Sequence, residues 1–458
     1  MLPSTECFFF QNGSSEHFVG TEEEHYVLLG EIKNIPKAGP KANYIAYQHT
    51  APIGCIMTAT TRPATLYRIV SCGSSDNGCA GESDKADLRL AFLGCEVLPP
   101  YGPYEHTAEL FADLIASAWS TALSLSSNSQ PLPQEQEQSP QNQRTLVLEV
   151  YGVSGNHTKL PSEEDLATRF DGVVLPGSFS SAYETTTPWI RALGDWIQST
   201  LVAKEIPTLG VCFGHQLYAH SFHGAGLPTP APAPTPIGST VGGTAAKCPA
   251  GPQAGRKTTR LTPSGRAFLD LARQRKTTPF DKDGQDENKN QNKNSIIAGC
   301  CGSLDLFYTH GDMVESLPPR GVSLGGNLKV PIQASLYFSS PLHAANAEAM
   351  LRSFANNRSF GFEGDYQHDA HDNFYSDDPK VIAVTFQAHP EFAGSGGGET
   401  TKGEETLRKT MLLMRDNGDL SEKDYQDANH DADAAYKRVN EQSLDAIVAA
   451  GRLLGWFG

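Results

Sequence analysis

The sequence predicts an α/β fold, a mostly parallel sheet with helices on both faces, from three observations. Short unbroken apolar runs recur from residue 88 to residue 211, segments with helical spacing alternate with them, and Gly, Pro and polar tracts separate the units. Strands buried on both faces read as continuous apolar runs, and parallel neighbours need the long crossovers that helices provide.

The first run, LRLAFLGCEV (88–97), is bounded by charges and by Pro99-Pro100 and predicts a buried strand. A helix is expected over 106–122. The tract SLSSNSQPLPQEQEQSPQNQR (124–144) has too little apolar surface to offset its ordering entropy and reads as a disordered insertion. TLVLEVY (145–151) gives a second strand, Asp171 to Pro176 a third, and Pro207 to Val211 a fourth. Between the last two, Trp189, Ile190, Leu193, Trp196, Ile197 and Leu201 recur on one helical face. Val381 to Phe386 is a late strand.

Further insertions are expected near 227–237, 275–297 and 340–379, all between apolar segments, where surface loops tolerate length. Toward the end, Leu407, Met411 and Met414 share a helical face, Ser421 with Asp424 resembles an N-terminal cap, and Leu444, Ile447 and Val448 mark a last helix. Residues 1–84 hold only brief apolar runs, such as Tyr44-Ile45-Ala46 and Ile69-Val70, and read as an N-terminal extension of unknown role ahead of a domain at 85–458.

A formal net charge of −16, from 36 basic and 52 acidic side chains, argues against attraction to phosphate backbones or anionic lipid surfaces. A small-molecule or peptide substrate is expected, with no nucleic acid and no membrane. The nine cysteines (7, 55, 72, 79, 95, 212, 248, 300 and 301) show no paired CxxC spacing. In a chain too large to need disulfide staples, this indicates a reducing cytoplasm. The start, MLPSTECFFFQNGSSEHF, has no basic segment followed by a long apolar run. No metal or cofactor is expected. His215, His220 and His223 lack HExxH spacing, and His368, Asp369, His371 and Asp372 lie in a polar insertion without the rigidity of a dedicated site. Gly394 to Gly398 lacks the Lys-Ser/Thr ending of a phosphate loop.

Chemistry concentrates at Gly210-Val211-Cys212-Phe213-Gly214, where a cysteine stands between two glycines as a strand meets a helix. This is a nucleophile elbow with sulfur in place of a hydroxyl. A sharp turn of this kind strains the backbone and leaves no room for neighbouring side chains, and the helix N-terminus that follows favours thiolate. A buried structural cysteine fits the elbow equally well.

A nucleophilic thiolate needs a histidine to carry the proton and a third group to hold the ring. His389-Pro390-Glu391, directly after the late strand, offers both. Taken alone, a histidine at a strand end is more often structural, and only the elbow gives this one its weight. Pro176-Gly177-Ser178 ends the third strand in a small-residue turn, so an oxyanion hole is expected from the N–H groups of Phe213 and of Gly177 or Ser178.

The motifs DGVVLPGS (171–178), GVCFGHQ (210–216), FYTHGDMVESLP (307–318) and QAHPEF (387–392) stand in the order found in class I glutamine amidotransferases, which the chain resembles over roughly 88–457. Within that family it is similar to the stand-alone branch that resembles GMP synthase amidotransferase domains and includes γ-glutamyl peptidases. The resemblance implies a flavodoxin-like sheet and a triad of Cys212 as nucleophile, His389 as base and Glu391 as its orienting group. It also implies that Gln216 and the turn of His310, Gly311 and Asp312 help hold a glutamyl group. Many family members carry two glycines where this chain has Gly177-Ser178, and the long insertions are a second departure.

The function so implied is hydrolysis of a γ-glutamyl amide, in glutamine or a γ-glutamyl peptide, through a thioester. Two alternatives stand beside it. One is a glutaminase subunit passing ammonia to a separate ATP-dependent synthetase partner; the other is a non-catalytic binding or regulatory protein.

Overall fold

In a computed structural model, the residues described are 44–47, 66–71, 87–126, 144–155, 158–223, 242–273, 302–356, 380–393 and 401–457. They carry strands β1 (Tyr44–Tyr47), β2 (Leu66–Ser71), β3 (Leu88–Gly94), β4 (Thr145–Gly152), β5 (Gly172–Leu175), β6 (Thr208–Val211), β7 (Thr244–Lys247), β8 (Gln253–Leu261), β9 (Ser303–His310), β10 (Asp312–Ser316), β11 (Gly321–Gly326), β12 (Ala334–Phe338) and β13 (Val381–Phe386). Eleven of these form one sheet in the order β1-β2-β4-β3-β5-β6-β13-β12-β11-β8-β9, and β10 pairs with β7 apart from it.

From β2 to β13 every pairing is parallel, as the apolar runs predict. Beyond β13 the pairings through β12, β11, β8 and β9 are antiparallel, and β1 closes the other end antiparallel to β2. The sheet is therefore mixed. β8 reads QAGRKTTRL, with no apolar run to announce a strand.

Side chains alternate across the parallel block, as the pleat requires. Leu90 and Phe92 of β3 enter a core with helices α1 (Tyr104–Ser126), α5 (Pro263–Arg273) and α9 (Glu422–Leu453). Ala91 and Leu93 enter another with α2 (Glu163–Thr168), α3 (Pro188–Trp196) and α4 (Phe213–His220). Burying a large apolar side chain of this kind contributes roughly 1.5–3 kcal/mol. The expected face of α3 is realised: Trp189, Ile190, Leu193, Ile197 and Leu201 are buried, the last two in a π-helical segment, Ile197–Val202. Helix α8 (Lys402–Asp416) buries Leu407, Met411 and Met414, and Ser421 caps α9 by accepting from the Asp424 N–H at 3.1 Å. No helix among the described residues is long and apolar enough to cross a membrane.

The two apolar runs noted within residues 1–84 lie in β1 and β2, and Tyr67 and Ile69 of β2 join the α1 core. Of the insertion expected at 340–379, the first part is helical: α6 (Pro341–Ala345) and α7 (Ala347–Asn356) bring Ala344, Ala347 and Leu351 onto the same core. Those residues belong to an amphipathic pattern hidden in an Ala-rich text. The expected insertion at 124–144 overlaps the last turn of α1 at 124–126 and stops at Arg144, just before β4. The remainder of that stretch, and those at 227–237, 275–297 and 357–379, lie outside the described residues.

The order of the sheet reverses at β3, which has β4 on one side and β5 on the other. In open α/β sheets the crevice at such a switch point, beyond the carboxyl ends of the strands, is where ligands bind. Strands β3, β5, β6 and β13 run in one direction, so the residues that follow them share this edge.

Candidate active site

Cys212 directly follows β6 and caps α4 in a strained conformation, φ 51° and ψ −105°. Positive φ is costly for a residue with a side chain and persists only where surrounding structure enforces it. Here the Cys212 N–H donates to the Phe386 carbonyl of β13 at 2.7 Å, and the turn continues straight into α4. Gly214 makes the turn sterically feasible. A Cβ there would lie 2.2 Å from the Leu175 carbonyl oxygen of β5.

His389 follows β13, and its N–H donates to the Phe307 carbonyl at 2.8 Å. The 3₁₀ turn Pro390–Phe392 brings Glu391 back to the ring, where Oε1 accepts from Nδ1 at 2.7 Å with both groups buried. That bond orients the ring and leaves Nε2 without a hydrogen-bond partner. Phe392 stacks on the imidazole at 4.5 Å, nearly coplanar at 8°, and Tyr436 holds the Phe392 carbonyl at 2.9 Å. Gly177 lies against both partners: a Cβ on it would stand 3.0 Å from His389 Cε1 and 3.5 Å from Cys212 Cβ. The sulfur and the imidazole, distant in sequence, thus meet at one edge of the sheet.

Burial alone would lower the pKa of His389, but the negative charges of Cys212 and then Glu391 outweigh it and hold the ring up to about 10. Nε2 has no partner at regular hydrogen-bond geometry, so we attribute the Cys212 influence to charge rather than to a formed bond. A raised histidine pKa stabilises the fold fully below the unfolded value of about 6.5, and this contribution is lost as pH rises toward the folded value. Cys212→Ala removes the largest raising influence. In a histidine NMR titration the His389 pKa is therefore expected to fall; an unchanged value would contradict the pairing.

The residues expected at the substrate form one network around Cys212. Gln216 Nε2 donates to the Asp312 carbonyl at 3.0 Å and to Gln387 Oε1 at 3.1 Å, and Gln387 Nε2 lies 3.8 Å from the Cys212 sulfur. His310 Nδ1 donates to the same Asp312 carbonyl at 2.8 Å, and burial pulls its pKa down to about 3, so the ring is neutral. Gly311 has open space where a Cβ would project. The Asp312 carboxylate accepts from Ser181 Oγ at 2.6 Å and Tyr183 Oη at 3.0 Å, anchoring the loop that begins at Gly177.

Three residues of this site carry no role in the sequence reading. Gln387 stands in QAHPEF, whose histidine draws the attention. Glu96 follows β3; its Oε1 accepts from the Val97 and Leu98 N–H groups at 2.9 and 2.8 Å. Its Oε2 accepts from Ser178 Oγ at 3.2 Å and the Phe179 N–H at 3.1 Å. Tyr101 packs its ring on Phe179 and Phe392, at 5.2 and 6.5 Å, and burial, then the charge of Cys212, pushes its hydroxyl pKa up. Only the run's end at Pro99-Pro100 hinted that the stretch after β3 turns back over the site.

Among the described residues no group of three or more His, Cys, Asp or Glu could hold a metal ion. His215 is structural: Nδ1 meets Thr385 Oγ1 at 2.7 Å and burial lowers its pKa to about 4. His220 Nδ1 accepts from the Ala245 N–H at 3.2 Å. His368, Asp369, His371, Asp372 and Gly394 to Gly398 lie outside the described residues. Cys95, Cys212 and Cys248 are free thiols.

Residues 142–325 match the family model for glutamine amidotransferase class-I, a stretch that includes Cys212 and stops before His389. No curated protein matches the sequence. Among solved structures, the chain is similar to a glutamine amidotransferase from Thermotoga maritima at 15% identity, covering 80% of this chain and 98% of that one with a TM-score of 0.36. A glutamine amido transferase from Methylobacillus flagellatus gives 13% identity, coverage of 80% and 95%, and a TM-score of 0.39. The glutaminase domain of Trypanosoma brucei CTPS with bound acivicin gives 10%, 72% and 94%, and 0.31. The elbow cysteine thus lies inside the stretch that is similar to the class I glutamine amidotransferase family.

Proposed function

We propose that the chain hydrolyses a γ-glutamyl amide bond, in glutamine or a γ-glutamyl peptide, by a Cys212-His389-Glu391 triad. The reading is carried by one observation: a cysteine strained at a helix N-terminus beside an imidazole that a buried carboxylate orients. The family match supports glutamine-amide hydrolysis in general.

In this mechanism the Cys212 thiolate attacks the γ-carbonyl carbon and the C=O π pair moves onto oxygen. The N–H groups of Phe213 and of Gly177 or Ser178 receive that oxyanion. The carbonyl re-forms, the C–N bond breaks, and the leaving nitrogen takes the proton of His389. Water then loses a proton to His389 and adds to the thioester, releasing glutamate and the thiolate. Gln216, His310, Gly311 and Asp312 form the wall against which the glutamyl group is held.

Purified protein incubated with glutamine, glutathione and other γ-glutamyl peptides is expected to release free glutamate, with ammonia from glutamine, and Cys212→Ala to release neither. Silence on every substrate would end the proposal. The electrophilic glutamine mimic 6-diazo-5-oxo-norleucine is expected to label Cys212 and to spare Cys95, whose thiol pKa burial pushes far up. Mass spectrometry finding label elsewhere with Cys212 intact would displace the site.

A further inference from the structure

We infer that Glu96 is a positioning residue that sets the oxyanion turn. The inference rests on the reading above for the turn's role, but its geometry is independent of substrate. Glu96 leaves β3 at the switch point, beside the Gly177 turn that leaves β5. Its carboxylate is buried, 8% exposed, and accepts four hydrogen bonds: Val97 N–H and Leu98 N–H on Oε1, Ser178 Oγ and Phe179 N–H on Oε2. None of the ion pairs among the described residues includes Glu96, so peptide and hydroxyl dipoles alone satisfy it. A buried charge held this way has a desolvation cost that an apolar side chain would avoid.

What the cost achieves is visible in the two halves of the carboxylate. Oε1 ties Glu96 to its own strand end, and Oε2 reaches across to the segment carrying the oxyanion donors. Ser178 Oγ also accepts from the Ser180 N–H at 3.1 Å, so the side chain of 178 and the peptides after it are pinned together. Asp312 holds the far end of the same loop through Ser181 and Tyr183. With both ends fixed, the N–H groups of Gly177 and Ser178 cannot swing away as charge develops on a carbonyl oxygen, which is the preorganisation that makes such donors effective.

Two reactions of Cys212 separate this role from a merely structural one. Acylation by p-nitrophenyl acetate forms a C–S bond, places the carbonyl π pair on oxygen, and then expels p-nitrophenolate as the carbonyl re-forms; it needs the oxyanion donors. Alkylation by iodoacetamide displaces iodide with no oxyanion. In the full chain, Glu96→Gln is expected to slow acylation on the order of 10- to 100-fold while alkylation stays within about twofold. Ser178→Ala, which keeps the Phe179 bond, is expected to show the same split in smaller measure. Both rates are read at Cys212 by mass spectrometry on variants whose melting transitions match the wild type, because unfolding would expose the buried thiol to alkylation while removing site-assisted acylation.

Unchanged acylation in Glu96→Gln, or parallel loss of both reactions, overturns the inference, as does a wild-type chain that does not acylate at Cys212. If the split holds but no γ-glutamyl compound is hydrolysed, the clamp stands and the proposed function falls.

Discussion

Turnover of a γ-glutamyl substrate is expected to fall by about four orders of magnitude in His389→Ala, and to fall little further in the double variant with Cys212→Ala. In the proposed mechanism the imidazole has two tasks: it places a positive charge beside the sulfur, and its proton leaves with the nitrogen. Both end with the ring, and neither can be taken over by His310, which is neutral and donates its Nδ1–H to the Asp312 carbonyl. A loss of this size corresponds to about 5.5 kcal/mol in the barrier. Because the two groups act as one unit, removing the second finds little left to remove. KM is expected to change far less than kcat, since the proposed glutamyl contacts lie on Gln216 and the His310–Asp312 turn. Steady-state kinetics of the two single variants and the double variant checks the point, and effects that multiply independently would show that sulfur and imidazole do not work together.

Gly214→Ala is expected to destabilise the fold by about 3 kcal/mol, lowering the melting temperature by roughly 3–5 °C. The added methyl would stand 2.2 Å from the Leu175 oxygen, 2.7 Å from Leu175 Cβ and 2.8 Å from its carbonyl carbon. None of these atoms can swing aside as a flexible side chain would, because Leu175 is a buried residue of a central strand paired to β6. Helix α4 must therefore lift from β5, and the lift carries Cys212 with it. Calorimetry of the variant alongside Gly418→Ala, at a glycine with nothing within 4 Å but with φ of 81°, separates steric contact from backbone strain. Equal melting temperatures for Gly214→Ala and the wild type would refute the close approach.

Strands β3, β4, β5, β6 and β13 were legible because they lie in the sheet interior and are written in mostly apolar residues, whereas β2, which reads LYRIVS, was not. The elbow was legible for a related reason: Gly214 faces the Leu175 backbone, and no other residue type fits there. His389 and Glu391 could be joined in advance because two positions of a tight turn suffice to bring a carboxylate to its ring. The antiparallel strands were not legible, since β8 and β11 alternate or lack apolar residues and draw their burial from neighbours far along the chain. Glu96 is the clearest case. In the text it is one acid after an apolar run, and its role exists only through Ser178 and Phe179, more than eighty positions onward. The helices α6 and α7 escaped notice because alanine-rich amphipathic text with Ser and Asn resembles a polar loop.

Strand β13, which delivers His389, is inserted between β6 and β12 although it comes after both in the chain. A ribosome therefore completes the cysteine elbow long before the strand that arms it. During that interval the Cys212 N–H has no Phe386 carbonyl to hold it, and the sulfur has no imidazolium beside it. In the proposed mechanism the thiol therefore gains its imidazole only when the late-synthesised β13 takes its place between β6 and β12.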